Sequence, residues 1–225
     1  MQGKLVVFEG VEGCGKTTQL EHAYRWLLQQ QTAFTPIDQF PRVLKTREPG
    51  GTALGQALRQ LLLGQTGTER MQARAELLLY AADRAQHVES VLRPQLVQGA
   101  IVLCDRFTDS TVAYQGYGRG LDQALIQQLN QIATDGLVSD LTLWLDLDSA
   151  TGLARIQRRG TIDRMEQADL AFHARVQQGF TELAQKFPER IARIDASQSE
   201  AEVANQIQAI LRQRLSEWYA ADSGE

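Results

Sequence analysis

Five short runs of apolar, largely β-branched residues recur along the chain, at residues 5–8, 43–46, 100–104, 141–147 and 191–195, and the stretches between them return apolar positions at helical spacing. Strands covered on both faces read as unbroken apolar runs, and strands alternating with helices specify a parallel sheet. The pattern therefore predicts an α/β, three-layer fold: a five-stranded parallel sheet flanked by helices, with right-handed crossovers. Ligands in such sheets bind beyond the carboxyl ends of the strands. The residues just after each run are thus the ones to read for chemistry.

Leu20, Ala23, Tyr24, Leu27 and Leu28 fall on one helical face and are expected in the core, whereas residues 30–42, with Pro36 and Pro41, read as a loop. Residues 52–63, 71–98 and 149–159 carry helical periodicity. After the last run, Ser199 with Glu202 fits a capping box that opens an amphipathic helix to about Trp218. The expected organisation is a single domain over residues 1–215, with 216–225 a frayed tail.

The first run leads into Gly10-Val-Glu-Gly-Cys-Gly-Lys16-Thr17-Thr18, the pattern G-x-x-x-x-G-K-[ST] between a strand and a helix. Gly10, Gly13 and Gly15 leave no Cβ in the way, so backbone N–H groups around Glu12 and Cys14 can turn inward onto phosphate oxygens, helped by the helix N-terminus. Lys16 is placed for the β- and γ-phosphates of a nucleotide, and the Thr17 hydroxyl, beside Thr18, for Mg²⁺. A glycine-rich turn that binds nothing is the bland alternative; the strand and helix on either side weigh against it.

The third run ends in Asp105-Arg106. A carboxylate there can orient Mg²⁺ or its water shell, and Arg106 puts fixed positive charge where a second phosphate could sit. Arg47 ends the second run beside a Pro-Gly-Gly turn; alone it reads as a solvated charge, and only its company raises it. Tyr80 and Arg84 share a helix face. Spacing leaves two readings of them open, a core tyrosine with an exposed arginine, or a ring for a base to stack on with a guanidinium at its edge. Arg155, Arg158, Arg159 and Arg164 crowd around Gly160. They form either a solvated basic helix end or an arginine-bearing lid, at about residues 158–170, that closes over phosphates and excludes water.

The formal net charge of −4 argues against a protein that coats nucleic acid, so anion recognition must rest on local arginines. The two cysteines, Cys14 and Cys104, suggest neither a disulfide framework nor a metal site. No apolar run approaches the ~20 residues of a membrane span. A soluble, cytoplasmic protein without a membrane partner is expected.

Taken together, Phe8-Glu-Gly-Val-Glu-Gly-Cys-Gly-Lys-Thr-Thr18, Thr46-Arg-Glu-Pro-Gly-Gly-Thr52, Asp105-Arg-Phe-Thr-Asp-Ser110, Ala113-Tyr-Gln-Gly116, Arg159-Gly160 and Asp163-Arg-Met-Glu166 resemble the thymidylate kinases, from about Gly3 to Leu215. The resemblance implies a P-loop NTPase fold and Mg²⁺-dependent transfer of the ATP γ-phosphoryl group to dTMP, giving dTDP. It further implies that Arg47 and Arg106 hold the acceptor phosphate, Glu12 faces the acceptor sugar and Tyr114 crowds its 2′ position. Tyr80 then stacks on thymine, with Arg84, Ser110, Thr111 and Gln115 also at the acceptor nucleotide. Arg155 packs on the donor adenine, and Arg159, assisted by Arg158 or Arg164, supplies transition-state charge. Gly13 stands where other members carry an arginine, so the chain resembles the bacterial-type branch with an arginine-bearing lid. A homodimer is implied, through long helices such as 71–98. Tyr80 replaces the usual phenylalanine, and Cys14 stands where a small inert residue is common. The alternatives are a kinase for UMP or CMP, or a nucleotide switch; no Asn-Lys-x-Asp guanine-reading tetrapeptide occurs.

Overall fold

The five apolar runs are strands, β1 (Lys4–Glu9), β2 (Val43–Arg47), β3 (Ile101–Asp105), β4 (Leu141–Asp146) and β5 (Ile191–Asp195), in a computed structural model that describes residues 2–33, 40–64, 71–160 and 164–220. All neighbours pair in parallel, in the order β2-β3-β1-β4-β5. Side chains of β1 alternate between two cores. Val6 and Phe8 join the larger one with Leu103, Leu143 and Leu145, while Leu5 and Val7 join a second with Val102 and Cys104. Leu5, Val6, Val7 and Phe8 are all 0 % exposed, and burying each such side chain is worth about 1.5–3 kcal/mol. A helical layer on each face is what makes that burial possible.

Phe8 lies opposite Asp105 in the β1–β3 register, and Arg47 opposite Asp105 in the β2–β3 register. The carboxyl ends of three strands therefore stop at one level. The helices are α1 (Lys16–Ala33), α2 (Ala53–Leu63), α3 (Ala73–His87), α4 (Arg93–Val97), α5 (Thr108–Thr111), α6 (Gln123–Thr134), α7 (Ser149–Arg159), α8 (Leu170–Lys186) and α9 (Glu200–Ala220). No described helix is long and apolar enough to cross a membrane.

Three expectations change. The stretch 30–42 is not all loop, because α1 runs through Ala33; its glutamines are good helix formers and no breaker precedes Pro36. Residues 34–39 lie outside the described residues. The expected helix 71–98 is α3 and α4 joined by a π-helical segment, Val88–Leu92, whose following N–H, on Arg93, reaches back to the Val88 carbonyl. Pro94 has no N–H to give, so the ladder changes register just before it. The tail is not frayed over 216–220, because α9 continues to Ala220 with Trp218 and Tyr219 packed against the core and Lys4 Nζ 5.5 Å from the Trp218 ring centre. Aromatic contact there outweighs the polar, small-residue composition; residues 221–225 lie outside the described residues. The capping box is present as expected. Ser199 N donates to Glu202 Oε2 at 3.0 Å and Glu202 N to Ser199 Oγ at 3.3 Å.

Candidate active site

A cavity of about 440 Å³ opens at the carboxyl ends of β1, β2 and β3, within the range of small-ligand sites. One end is the glycine loop. Gly13 and Gly15 have φ of 72° and 92°, and a Cβ on Gly13 would stand 2.2 Å from the Gly152 carbonyl oxygen. The loop thus presses against the first turn of α7, which no side chain at position 13 would permit. Lys16 Nζ donates to the carbonyls of Gly10 at 3.0 Å and Val11 at 2.8 Å, with Cys14 Sγ at 3.6 Å. The loop's lysine and its backbone are held together before any anion arrives. Thr17 Oγ1 donates to Asp105 Oδ2 at 3.1 Å. A hydroxyl and a carboxylate side by side form an oxygen donor set of the kind that suits Mg²⁺, which keeps much of its water and takes further ligands from phosphates. Among the described residues no cluster of three or more His, Cys, Asp or Glu could hold a metal alone.

Arg106 is the hub. Its φ of 71° is in the left-handed region, rare for a side chain of this size, and it turns the guanidinium back across the cavity. Nη1 donates to Gly10 O at 3.2 Å and Ser110 Oγ at 3.0 Å, and Nη2 to Glu12 Oε1 at 3.0 Å and Tyr114 Oη at 3.1 Å. Tyr114 Oη donates in turn to Glu12 Oε2 at 2.7 Å. Burial works to raise the Glu12 carboxyl, but Arg106, with His173, Lys16 and Tyr114, outweighs it and holds the group down at about 2.

Glu9 secures the same turn from beneath. It is 0 % exposed and accepts from Phe107 N at 2.9 Å, Ser110 N at 3.1 Å and Ser110 Oγ at 2.5 Å. Desolvation pushes its carboxyl up to about 7 against the opposing pull of Arg106. The two consequences have opposite signs. Protonation removes an acceptor from the Arg106–Ser110 turn, so affinity for an anion held at Arg106 should fall as pH falls through about 7. Fold stability gains over the same descent, since a carboxyl with a raised folded pKa binds protons preferentially in the native state. Binding of a nucleoside monophosphate measured from pH 6 to 8 checks this, with Glu9→Gln, which has no such proton, as control. A profile identical in both proteins would sink it.

Arg47 is exposed at the end of β2 and lines the cavity. The turn after it is fixed by residues that the sequence reading missed. Glu48 accepts from Arg84 Nε at 2.8 Å and pairs with His87 Nδ1 at 2.9 Å; His87 Nε2 meets Thr46 Oγ1 at 2.8 Å, and Asp83 Oδ1 accepts from Gly50 N at 3.0 Å. The spacing of Asp83 and His87 on one helix face was the only sequence signal, and it has many structural uses. Neither reading of Tyr80 and Arg84 is met in full. Tyr80 is half-buried on the cavity wall, its hydroxyl kept neutral chiefly by desolvation and then by Glu76. Arg84 is not exposed: it is 2 % accessible and also donates to Thr111 Oγ1 at 2.9 Å, Asn130 Oδ1 at 2.7 Å and Phe107 O at 2.9 Å. It borders the cavity as part of its frame, so any contact with a ligand comes on top of those bonds. Ser110, Thr111, Tyr114 and Gln115 line the same end.

Of the arginines around Gly160, the described side chains of Arg155, Arg158 and Arg164 lie apart from one another. α7 is capped by Asp148, which accepts from Thr151 N at 2.9 Å, and closed by Gly160 at φ 81°. Arg155 Nη1 is 3.5 Å from Gly13 O, Arg158 is exposed, and the side chain of Arg159 and residues 161–163 lie outside the description. Arg164, next to Met165 and Glu166 on the cavity wall, donates Nε to Leu62 O at 2.7 Å and pairs with Glu76 at 2.7 Å. Arg155, before the expected lid, is thus the one that meets the glycine loop among these described side chains, and Arg164, within it, meets α2 and α3.

The model of the thymidylate kinase family matches residues 8–207. A thymidylate kinase of Cyanothece sp. is 59 % identical, with 97 % of each chain covered, and that of Trichodesmium erythraeum is 59 % identical over 97 % of this chain and 99 % of its own. The crystal structure of thymidylate kinase from Ehrlichia chaffeensis superposes with a TM-score of 0.75 at 33 % identity, covering 94 % of this chain and 100 % of that one. With a glycine loop, a Thr17–Asp105 pair and an arginine hub at the mouth of one parallel sheet, and with matches of this extent, the chain belongs to the thymidylate kinase family.

Proposed function

We propose that the cavity holds ATP and dTMP end to end, so that a 5′-phosphate oxygen of dTMP attacks the γ-phosphorus of ATP in line while the bond to the β,γ-bridging oxygen breaks, giving dTDP and ADP. The acceptor phosphate is already anionic, so positioning and charge neutralisation do the work and a strong base is not needed. The glycine loop and Lys16 take the donor phosphates, and Arg155, beside Gly13, takes the adenine. Thr17 and Asp105 would hold Mg²⁺, which supplies charge neutralisation between β- and γ-phosphates. Arg47 and Arg106 hold the acceptor phosphate, Glu12 and Tyr114 its sugar side, and Tyr80, Thr111, Arg84 and Gln115 its base. Arg159, with Arg158 or Arg164, brings the final positive charge.

The observation that carries this reading is Arg106, aimed by its left-handed backbone at the space beside the phosphate loop. A switch that only hydrolyses a nucleotide has no use for it. A coupled assay with ATP and a panel of dTMP, UMP, CMP and no acceptor tests the reading. Turnover with dTMP should dominate; comparable rates on UMP would reassign the base, and phosphate release without acceptor would favour the switch.

A homodimer is supported by the exposed Leu54 and Leu61 on α2, Leu78 on α3 and Leu125 and Ile132 on α6, on helices that pack side by side. Sedimentation velocity returning only a 25.1 kDa species at micromolar concentration would remove it. Two buried free cysteines, Cys14 and Cys104, accord with a reducing, cytoplasmic setting.

A further inference from the structure

Glu76, on α3, is a carboxylate at 1 % exposure to which no role has yet been given. It accepts from Gln115 Nε2 at 2.8 Å and from Arg119 Nε and Nη2 at 3.2 and 3.1 Å, and it pairs with Arg164 Nη2 at 2.7 Å. Burial alone would raise its carboxyl, but Arg119, Gln115 and Arg164 hold it below the ordinary range, so it stays ionised. An ionised carboxylate only accepts hydrogen bonds.

That fixes Gln115. The two ends of its amide have nearly the same shape and opposite hydrogen-bonding sense, and only the neighbours decide which way it lies. Glu76 demands the NH₂ end, which turns the carbonyl oxygen the other way. Gln115 lines the cavity together with Tyr80 and Thr111. The carbonyl oxygen is then the end of the Gln115 amide left to accept from a pyrimidine stacked at Tyr80. Thymine and uracil offer an N–H at ring position 3; cytosine has a bare lone pair.

We propose that Glu76 is the positioning residue that sets the base preference of the acceptor pocket, by locking Gln115 with its acceptor toward the base; the same carboxylate also pairs with Arg164. This rests on the reading of the Tyr80 end as the acceptor-base site. A site of fixed hydrogen-bond sense rejects a ligand of the wrong sense far better than shape alone does, because a buried polar group is left unpaired.

The test is Glu76→Gln, assayed on dTMP and dCMP with ATP. An amide at 76 can offer either end to Gln115, so the lock is lost. The ratio of kcat/KM for dTMP over dCMP should fall at least tenfold, mostly through KM for dTMP. In a Gln115→Leu background the same change should lower the ratio no further, since the effect passes through Gln115. A merely structural role would lower Tm and depress both acceptors alike; an unchanged ratio, or an undiminished fall in the Gln115→Leu background, overturns the proposal. Should Glu76→Gln not fold, Glu76→Asp keeps the charge beside Arg119 and Arg164 while withdrawing from Gln115, and it must show the same fall. Failure of the wild type to phosphorylate dTMP would instead strike the acceptor assignment, so the two failures are told apart.

Discussion

Arg106→Ala should lower kcat/KM for dTMP by about 10³-fold while ATP binding, measured alone by calorimetry, changes little. Removing one preorganised donor to a reacting group costs about 10²–10³ in rate, and in the proposed mechanism Arg106 both binds the acceptor phosphate and helps neutralise the charge as the γ-phosphoryl reaches it. Its guanidinium has two donor nitrogens spread over four protein acceptors, two on the glycine loop, at Gly10 and Glu12, and two after β3, at Ser110 and Tyr114. The substitution also strands Glu12, a carboxylate held at about 2 mainly by this arginine against burial. Breaking a largely buried pair from one side costs about 3–5 kcal/mol of stability. The double change Arg106→Ala with Glu12→Gln should return much of that stability and none of the turnover. If kcat/KM for dTMP stays within threefold of wild type, Arg106 is not at the acceptor phosphate.

The second large effect is expected at the end of α7. Arg159→Ala should reduce kcat by on the order of 10³-fold with dTMP affinity nearly kept, the signature of a group that acts on the transferring phosphoryl and not on the bound substrate. The glycine loop carries Gly13, backed directly by Gly152 of α7, so no cationic side chain can rise from that position of the loop. Charge has to arrive from a neighbouring element, and α7 is the element in contact. Arg164 is committed to Leu62 O and Glu76, and Arg155 lies against Gly13 O. Alanine at either should therefore cost less in kcat than alanine at Arg159. Single-turnover measurements separate the phosphoryl step from product release, and an unchanged rate for that step would take Arg159 out of the mechanism.

How much of this was legible in the sequence depended on whether a signal was local. The five strands were, because each is buried on both faces and so reads as an apolar run; the glycine loop was, because its geometry needs Gly, Lys and Thr at fixed offsets. Asp105 and Arg106 could be placed because they end a strand. The supports could not. Glu9, Glu48 and His87 bond to residues 101, 36 and 41 positions away or thereabouts, and a carboxylate that meets its partners only after folding leaves no pattern in the chain. The burial of Arg84 was hidden for the same reason: helix spacing gave its face but not the four acceptors waiting there. The continuation of α9 was missed because composition at a chain end says nothing of the core it lands on.

The strand order separates the two halves of the cavity by inheritance as well as by space. In the proposed arrangement the residues for the acceptor, Glu12 on the glycine loop excepted, hang from β2 and β3 and the helices that follow them, while α7 follows β4 on the other side of β1. Pocket walls on the β2 side can thus be rebuilt for a different pyrimidine without disturbing the half that handles ATP. A laboratory library confined to α3 and the segment from Thr108 to Gly118 would sample new acceptors on an intact phosphoryl donor, whereas a change at Arg106 would forfeit every acceptor at once.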